Sequence, residues 1–230
     1  MCERHLGLMS RRGALVGGFA ATAAAALPWG AFAQEAIGPD RALEMLMEGN
    51  ARHVSGATES RDFSADRAAL ALTQRPFAVI LGCADSRVAP ELAFDQSRGQ
   101  LFVLRVAGNS LNTDMLASME YALAVLGTPL IMVLGHGACG AVDAAIKVVL
   151  DDAELPGHLP DLIAPIKPAV EAVRGRGGDL LANAIEENVR RTAAAVGAAG
   201  PIVAPLVADG TVKVVGAVYD LATGKVELIG

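Results

Sequence analysis

Cys83-Ala84-Asp85-Ser86-Arg87 follows directly on the apolar run Phe77-Ala78-Val79-Ile80-Leu81-Gly82, and His136-Gly137-Ala138-Cys139-Gly140 follows in the same way on Leu130-Ile131-Met132-Val133-Leu134-Gly135. Each run has the length of a strand and shows no polar alternation, the pattern of a strand buried on both faces of a parallel sheet. Each ends in a glycine and then a turn carrying side chains able to hold a metal. Ligands of open α/β sheets bind beyond the carboxyl ends of such strands. Cys83, Asp85, His136 and Cys139 are therefore expected to meet there around one ion.

Outward from these two strands, helices and strands alternate. Pro39-Asp40 opens a helix with an apolar stripe at Leu43, Leu46 and Met47, expected to stop at Gly49-Asn50 and to act as a docking arm. A short helix is expected over 65–72, another over 88–94, and a strand over 100–106. Asn112 or Thr113 can cap a helix with its stripe at Met115, Leu116, Met119, Leu123 and Leu126, and Tyr121 falls off that stripe. A helix follows the His136 turn over 140–150, so its first N–H groups face the proposed site. The proline- and glycine-punctuated stretch 151–178 reads as connection with one short helix over 166–174. Asp179 then caps a long helix over 180–196. Strands are expected over 202–207, 212–219 and 225–229, the last two forming a hairpin. His53 reads as a solvated histidine. The expected architecture is one three-layer α/β domain over 34–230, with a mostly parallel central sheet, an antiparallel edge and flanking helices.

The first 33 residues read as a separate segment. Arg11-Arg12 precede an apolar stretch from Ala14 that ends in Ala31-Phe32-Ala33, the pattern of a twin-arginine export signal cleaved before Gln34. A periplasmic location follows, with no stable membrane span after cleavage. The alternative is an uncleaved anchor, since about 20 apolar residues can cross a bilayer. Glu3, Arg4, Arg11 and Arg12 carry a net +2, so the remainder carries −8 against −6 for the whole chain. Such an acidic chain is a poor partner for nucleic acid.

Beyond Cys2, the chain has only Cys83 and Cys139. An exported protein can oxidise such a pair to a disulfide. Each thiol, however, has a second metal-capable residue two or three positions away, which a structural disulfide does not require. Thiolate and imidazole suit tetrahedral zinc, and catalytic zinc commonly keeps three protein ligands with one position open. Cys83, His136 and Cys139 supply such a set. Asp85 has two possible duties: a fourth ligand that closes the site, or a carboxylate held ionised by bidentate Arg87 and free to accept a hydrogen bond from water on the metal. Two thiolates cancel the charge of zinc, so the ion acidifies water less than it would among neutral histidines.

These blocks resemble those of the β-class carbonic anhydrases. The resemblance extends through Gly49-Asn50 with Arg52, Asp95-Gln96, Leu101-Phe102-Val103 with Arg105, Ala107-Gly108-Asn109, Glu120-Tyr121-Ala122, and Gly216-Ala217-Val218-Tyr219-Asp220-Leu221 with Thr223-Gly224. It implies one zinc per chain on Cys83, His136 and Cys139, with Asp85 and Arg87 as the catalytic pair. The implied reaction is hydration of carbon dioxide to bicarbonate by zinc-bound hydroxide. Gln74 matches the family's substrate-side donor, while Phe102 and Tyr121 match its apolar pocket wall at a dimer interface. A homodimer or dimer of dimers is implied. Family members that shut the site usually carry tryptophan three residues before the first cysteine, where this chain has Ile80, so the open form is expected. Two other readings share the zinc set: a carbon disulfide or carbonyl sulfide hydrolase, and a non-catalytic zinc-binding protein.

Overall fold

A computed structural model of the chain describes residues 37–230, and the proposed export segment lies outside them. Their elements run, in chain order, α1 Pro39–Ser55, α2 Arg67–Leu70, β1 Ala78–Gly82, α3 Pro90–Ala93, β2 Leu101–Arg105, α4 Thr113–Ala124 and β3 Leu130–His136. There follow α5 Gly140–Asp151, α6 Leu159–Ile163, α7 Lys167–Val173, α8 Leu180–Gly197, α9 Val203–Ala208, β4 Lys213–Tyr219 and β5 Val226–Ile229. The five strands form one sheet in the order β2-β1-β3-β4-β5. All pairings are parallel except β4 with β5, which is antiparallel and forms the expected edge.

Strand alternation sends the two sides of the sheet into different helical layers. Ala78, Ile80, Leu130, Met132 and Leu134 pack with Ala42 and Leu46 of α1 and with Ala93 and Phe94 at α3. Val79, Leu81, Ile131 and Val133 face the opposite way, against Met119 and Leu123 of α4, Val189 and Val196 of α8 and Val203 of α9. Every residue of β1 and β3 is buried, as their unbroken apolar runs require. Asn112 accepts from the Met115 amide and Asp179 from the Leu181 and Ala182 amides, so both expected caps form.

Two expectations about helices and strands are corrected. First, α1 continues through Gly49-Asn50 to Ser55, where Gly56 ends it in the left-handed region at φ 71°. Gly49 is a docking point: a Cβ built there would lie 1.8 Å from the Phe94 carbonyl oxygen. Asn50 beside it donates to the Ala93 and Gly224 carbonyls at 2.9 and 2.8 Å and accepts from the Val226 amide at 2.9 Å. Helix packing thus overrides the local stop signal. Second, residues 203–208 form α9 where a strand was expected over 202–207. Pro205 would remove a ladder hydrogen bond from a strand but is tolerated in a helix's first turn, and Val203 is buried as part of a helical face.

The segment after α1 is held by a buried carboxylate. Asp95 accepts from Arg52 Nε at 2.6 Å and from Arg61 Nη1 at 2.5 Å. Burial alone would raise the Asp95 pKa, but Arg61, then Arg52 and the Glu59 amide, outweigh it and bring it down to about 2. His53, read from sequence as solvated, is half-buried with Nε2 3.3 Å from the Tyr219 hydroxyl.

Gly49→Ala tests the docking of α1. Helix propensity alone favours alanine by about 1 kcal/mol, whereas overpacking costs about 1–3 kcal/mol and here meets backbone. The steric cost is expected to win, lowering Tm by roughly 2–4 °C for a net loss of about 1 kcal/mol in a calorimetric scan.

Candidate metal centre

The strand order puts β1 at a switch point: the chain leaves it for β2 on one side and later returns to β3 on the other. In sheets of this order the crevice beyond the β1 and β3 carboxyl ends is the ligand site. Gly82 lies beside Leu134 in the parallel register. Cys83, the next residue after β1, therefore emerges level with the end of β3, where His136 sits. Cys139 is the N-cap residue of α5. Ala138 just before it has φ 52°, a left-handed residue that turns the chain sharply between His136 and Cys139.

The three donor atoms of Cys83, His136 and Cys139 lie within 4.8 Å of one another, and all three residues are buried. A tetrahedral ion bonded at roughly 2.0–2.3 Å would hold such donors about 3.5–4 Å apart, so a small contraction suffices. Both thiols are free, with no disulfide between them. His136 Nδ1 lies 2.8 Å from the Gly137 carbonyl oxygen, which makes Nδ1 the protonated nitrogen and leaves a lone pair on Nε2. Nε2 is buried and has no hydrogen-bond partner. A buried, unpartnered imidazole nitrogen between two thiols is what a thiophilic divalent ion would satisfy, so these residues fit a metal.

Charge in the cluster is strongly coupled. The Cys83 thiol is pushed down, first by a hydrogen bond from the Cys139 thiol and then by His136, against the effect of burial. The Cys139 thiol moves up because it holds the proton shared with Cys83, and burial adds to this. The pair therefore carries one negative charge readily and the second only with a cation to balance it. For His136, burial lowers the pKa, but the neighbouring Cys83 sulfur and the Gly137 carbonyl outweigh it and the net shift is upward.

Asp85 is paired with Arg87. Arg87 Nε donates to Oδ1 at 2.9 Å and Nη2 to Oδ2 at 2.7 Å, while the Arg87 amide also donates to Oδ1 at 2.9 Å. This clamp holds the Asp85 carboxyl well below the usual carboxylate range. Arg87 Nη2 also reaches the Ala138 carbonyl at 3.3 Å, tying the two metal-capable turns together. Asp85 Oδ2 is 3.8 Å from His136 Nε2, so an ionised carboxylate faces the centre. Arg105 at the end of β2 fixes the Cys83 turn from below, donating to the Cys83 and Asp85 carbonyls at 2.9 and 2.6 Å. Ile80 lies in the core with no exposed surface.

The other predicted site residues are not brought to this centre within one chain. Phe102 pairs with Val79, four residues before Cys83, which is roughly 13 Å along a strand. Its ring lies 6.3 Å from that of Tyr121, which is 48 % exposed on α4. Gln74 is exposed and precedes β1, with the whole of that strand between it and the site. A cavity of about 510 Å³ beside α1 is lined by Arg41, Arg52, Arg61 and Gln96 among others, and by none of the residues of the metal centre.

With this arrangement defined, comparison with known proteins is decisive. Residues 78–226 match the family model described as carbonic anhydrase. The chain belongs to the carbonic anhydrase family. It is 40 % identical over 191 residues to carbonic anhydrase 2 of Mycobacterium tuberculosis, covering 83 % of this chain and 92 % of that protein. It is 41 % identical over 192 residues to the carbonic anhydrase of Mycolicibacterium smegmatis, covering 83 % and 93 %. Among solved structures it is similar to a tetrameric β-carbonic anhydrase of the ascomycete Sordaria macrospora. The TM-score there is 0.67 at 25 % identity, with 73 % of this chain and 87 % of that one covered. The β-class fold and the three metal-capable residues thus occur together in one chain of this family.

If these three side chains hold the ion, Cys83→Ser removes one of only two thiolates. Metal analysis of purified wild type is expected to give about one zinc per chain, and the variant well under half of that at unchanged folding. Full zinc occupancy in Cys83→Ser would place the ion elsewhere.

Proposed function

We propose that the chain hydrates carbon dioxide reversibly to bicarbonate and a proton, with zinc held by Cys83, His136 and Cys139. The observation that carries this reading is the convergence of those three buried donors beside an Asp85 already clamped by Arg87, in a member of the carbonic anhydrase family. Bound zinc supplies the Lewis acidity that makes water a nucleophile near neutral pH.

The side chains supply what two thiolates take away. A metal held by two thiolates would keep little residual charge, so the water it activates would need a nearby acceptor to orient it. Asp85 is that acceptor. Arg87 keeps it ionised and occupies its oxygens in a bidentate clamp, which favours an orienting role over direct ligation. His136 Nδ1–H on the Gly137 carbonyl fixes the imidazole and leaves Nε2 free to hold a metal. Because Arg87 depresses the Asp85 pKa, the carboxylate stays charged above the ordinary carboxylate range and loses its charge only in strong acid. Asp85 is therefore not the group that shapes the pH profile near neutrality.

Carbon dioxide has no charge and no strong dipole, so an apolar wall with one or two donors suits it. Phe102 and Tyr121 form such a wall, and Gln74 is a suitable donor. Phe102 and Gln74 lie about a strand's length from Cys83 of their own chain, and Tyr121, against Phe102, is exposed beside the edge strand β2. We therefore place them in the pocket of a second copy, with at least a homodimer as the working unit. The Sordaria macrospora enzymes to which the chain is similar are themselves tetrameric. Residues 1–33 complete the proposal as a twin-arginine-type signal that exports the folded domain 34–230 to the periplasm, supported by Arg11-Arg12 and by Ala31-Phe32-Ala33. No described helix is long and apolar enough to cross a membrane.

Stopped-flow hydration of carbon dioxide tests both parts. Arg87→Leu is expected to keep its zinc and lose activity by about 10–100-fold; unchanged activity would contradict the role of the Asp85 clamp. Mixing Cys83→Ser chains with Gln74→Ala chains is expected to yield more activity than either alone, because a hybrid dimer has one intact pocket. No gain on mixing would place Gln74 outside a shared pocket.

A further inference from the structure

Cys83 has a hydrogen-bond donor that the catalytic reading does not use. The Gly108 amide points at its sulfur, with N···Sγ at 3.3 Å. Gly108 lies in the loop after β2 with φ 77°, and a Cβ there would lie 2.4 Å from Ile166 Cδ1 and 3.2 Å from Ala141 Cβ. Only glycine fits this backbone path. The other side of the same residue is also held: Asn188 Nδ2 donates to the Gly108 carbonyl at 2.9 Å from the middle of α8, and Asn188 is 2 % exposed.

Asn188 lies among Ile185, Val189 and Val196 on the buried face of α8. A buried amide on an apolar face is costly unless its hydrogen bonds are made, and a leucine would fit that face without this requirement. The helix is seated closely enough for the contact because two strand residues lack side chains. A Cβ at Gly135 or at Gly216 would come within 2.5 or 2.9 Å of Val189. Two glycines therefore seat α8, α8 presents Asn188, Asn188 holds the Gly108 carbonyl, and the N–H of the same residue, in the preceding peptide unit, donates to Cys83.

We propose that Asn188 is a positioning residue of the metal centre, holding the Gly108 N–H on the Cys83 sulfur and so setting how strongly that thiolate donates to the metal. An amide proton on a thiolate withdraws electron density from sulfur, and hydrogen bonds of this kind tune metal centres from outside the ligand set. In a site where two thiolates already neutralise the ion, this contact preserves part of its acidity. The inference rests on the reading of Cys83 as a metal ligand.

The test uses the full chain as wild type, Asn188→Leu, Asn188→Ala and Thr192→Val, each loaded with cobalt(II) for the first reading and with zinc for the second. Thr192, one turn further along the same helix and also buried, controls for disturbed packing. Two readings are taken on each protein shown to be folded by circular dichroism: the thiolate-to-cobalt charge-transfer bands, and the rate of zinc transfer to a chelator. Both Asn188 variants are expected to move the bands to longer wavelength, because the sulfur regains electron density, and to release zinc about tenfold faster, because the loop that orients Cys83 is no longer held, while Thr192→Val matches wild type. Bands and release unchanged in either folded Asn188 variant would overturn the inference, as would an equal effect of Thr192→Val. Wild type without any sulfur-to-cobalt band would instead overturn the reading of Cys83 as a ligand.

Discussion

The parallel pairing of β1 with β3 is the constraint on which the centre depends. Its register sets Gly82 beside Leu134, so the two polar turns emerge at one level and Cys83 can share a space with His136 and Cys139. A slip of one residue would turn each side chain to the opposite face of the sheet and separate the donors. The register is held from both sides: α1 is locked to α3 and β5 through Gly49 and Asn50, and α8 is seated on Gly135 and Gly216. Core packing and site geometry are in this sense the same set of contacts.

Charge distribution then decides the chemistry. A Cys-His-Cys set binds a thiophilic ion well but leaves it little residual charge. The residues around it respond in complementary ways. Arg87 keeps Asp85 ionised and ties it to the turn that carries Cys139. Arg105 and the Gly108 amide hold the Cys83 turn and its sulfur. The three metal-capable side chains are therefore surrounded by donors, and the Asp85 carboxylate that faces the centre is itself paired with an arginine.

Much of this was legible in the sequence because the signals are local. Two unbroken apolar runs ending in Cys83 and in His136 define buried parallel strands, and the caps at Asn112 and Asp179 follow from side chains that can accept amide hydrogen bonds. The misreadings arise where tertiary contacts override local preference. Gly49-Asn50 resembles a helix stop but is a close contact between helices, and β-branched residues around Pro205 suggest a strand where the chain forms α9. Asn188 escaped notice because a polar residue on an amphipathic helix is ordinary unless the opposing carbonyl is known. Gln74, Phe102 and Tyr121 were identified by resemblance, yet no pattern within one chain says which copy's metal they face.

The account stands or falls on where the ion binds. A crystal structure of the zinc-loaded protein, with anomalous data across the zinc edge, is the most direct measurement. The account predicts a single peak per chain, within roughly 2.0–2.3 Å of Cys83 Sγ, His136 Nε2 and Cys139 Sγ, with Asp85 still clamped by Arg87. A bond between the two sulfurs, or a zinc peak away from these three atoms, would contradict it.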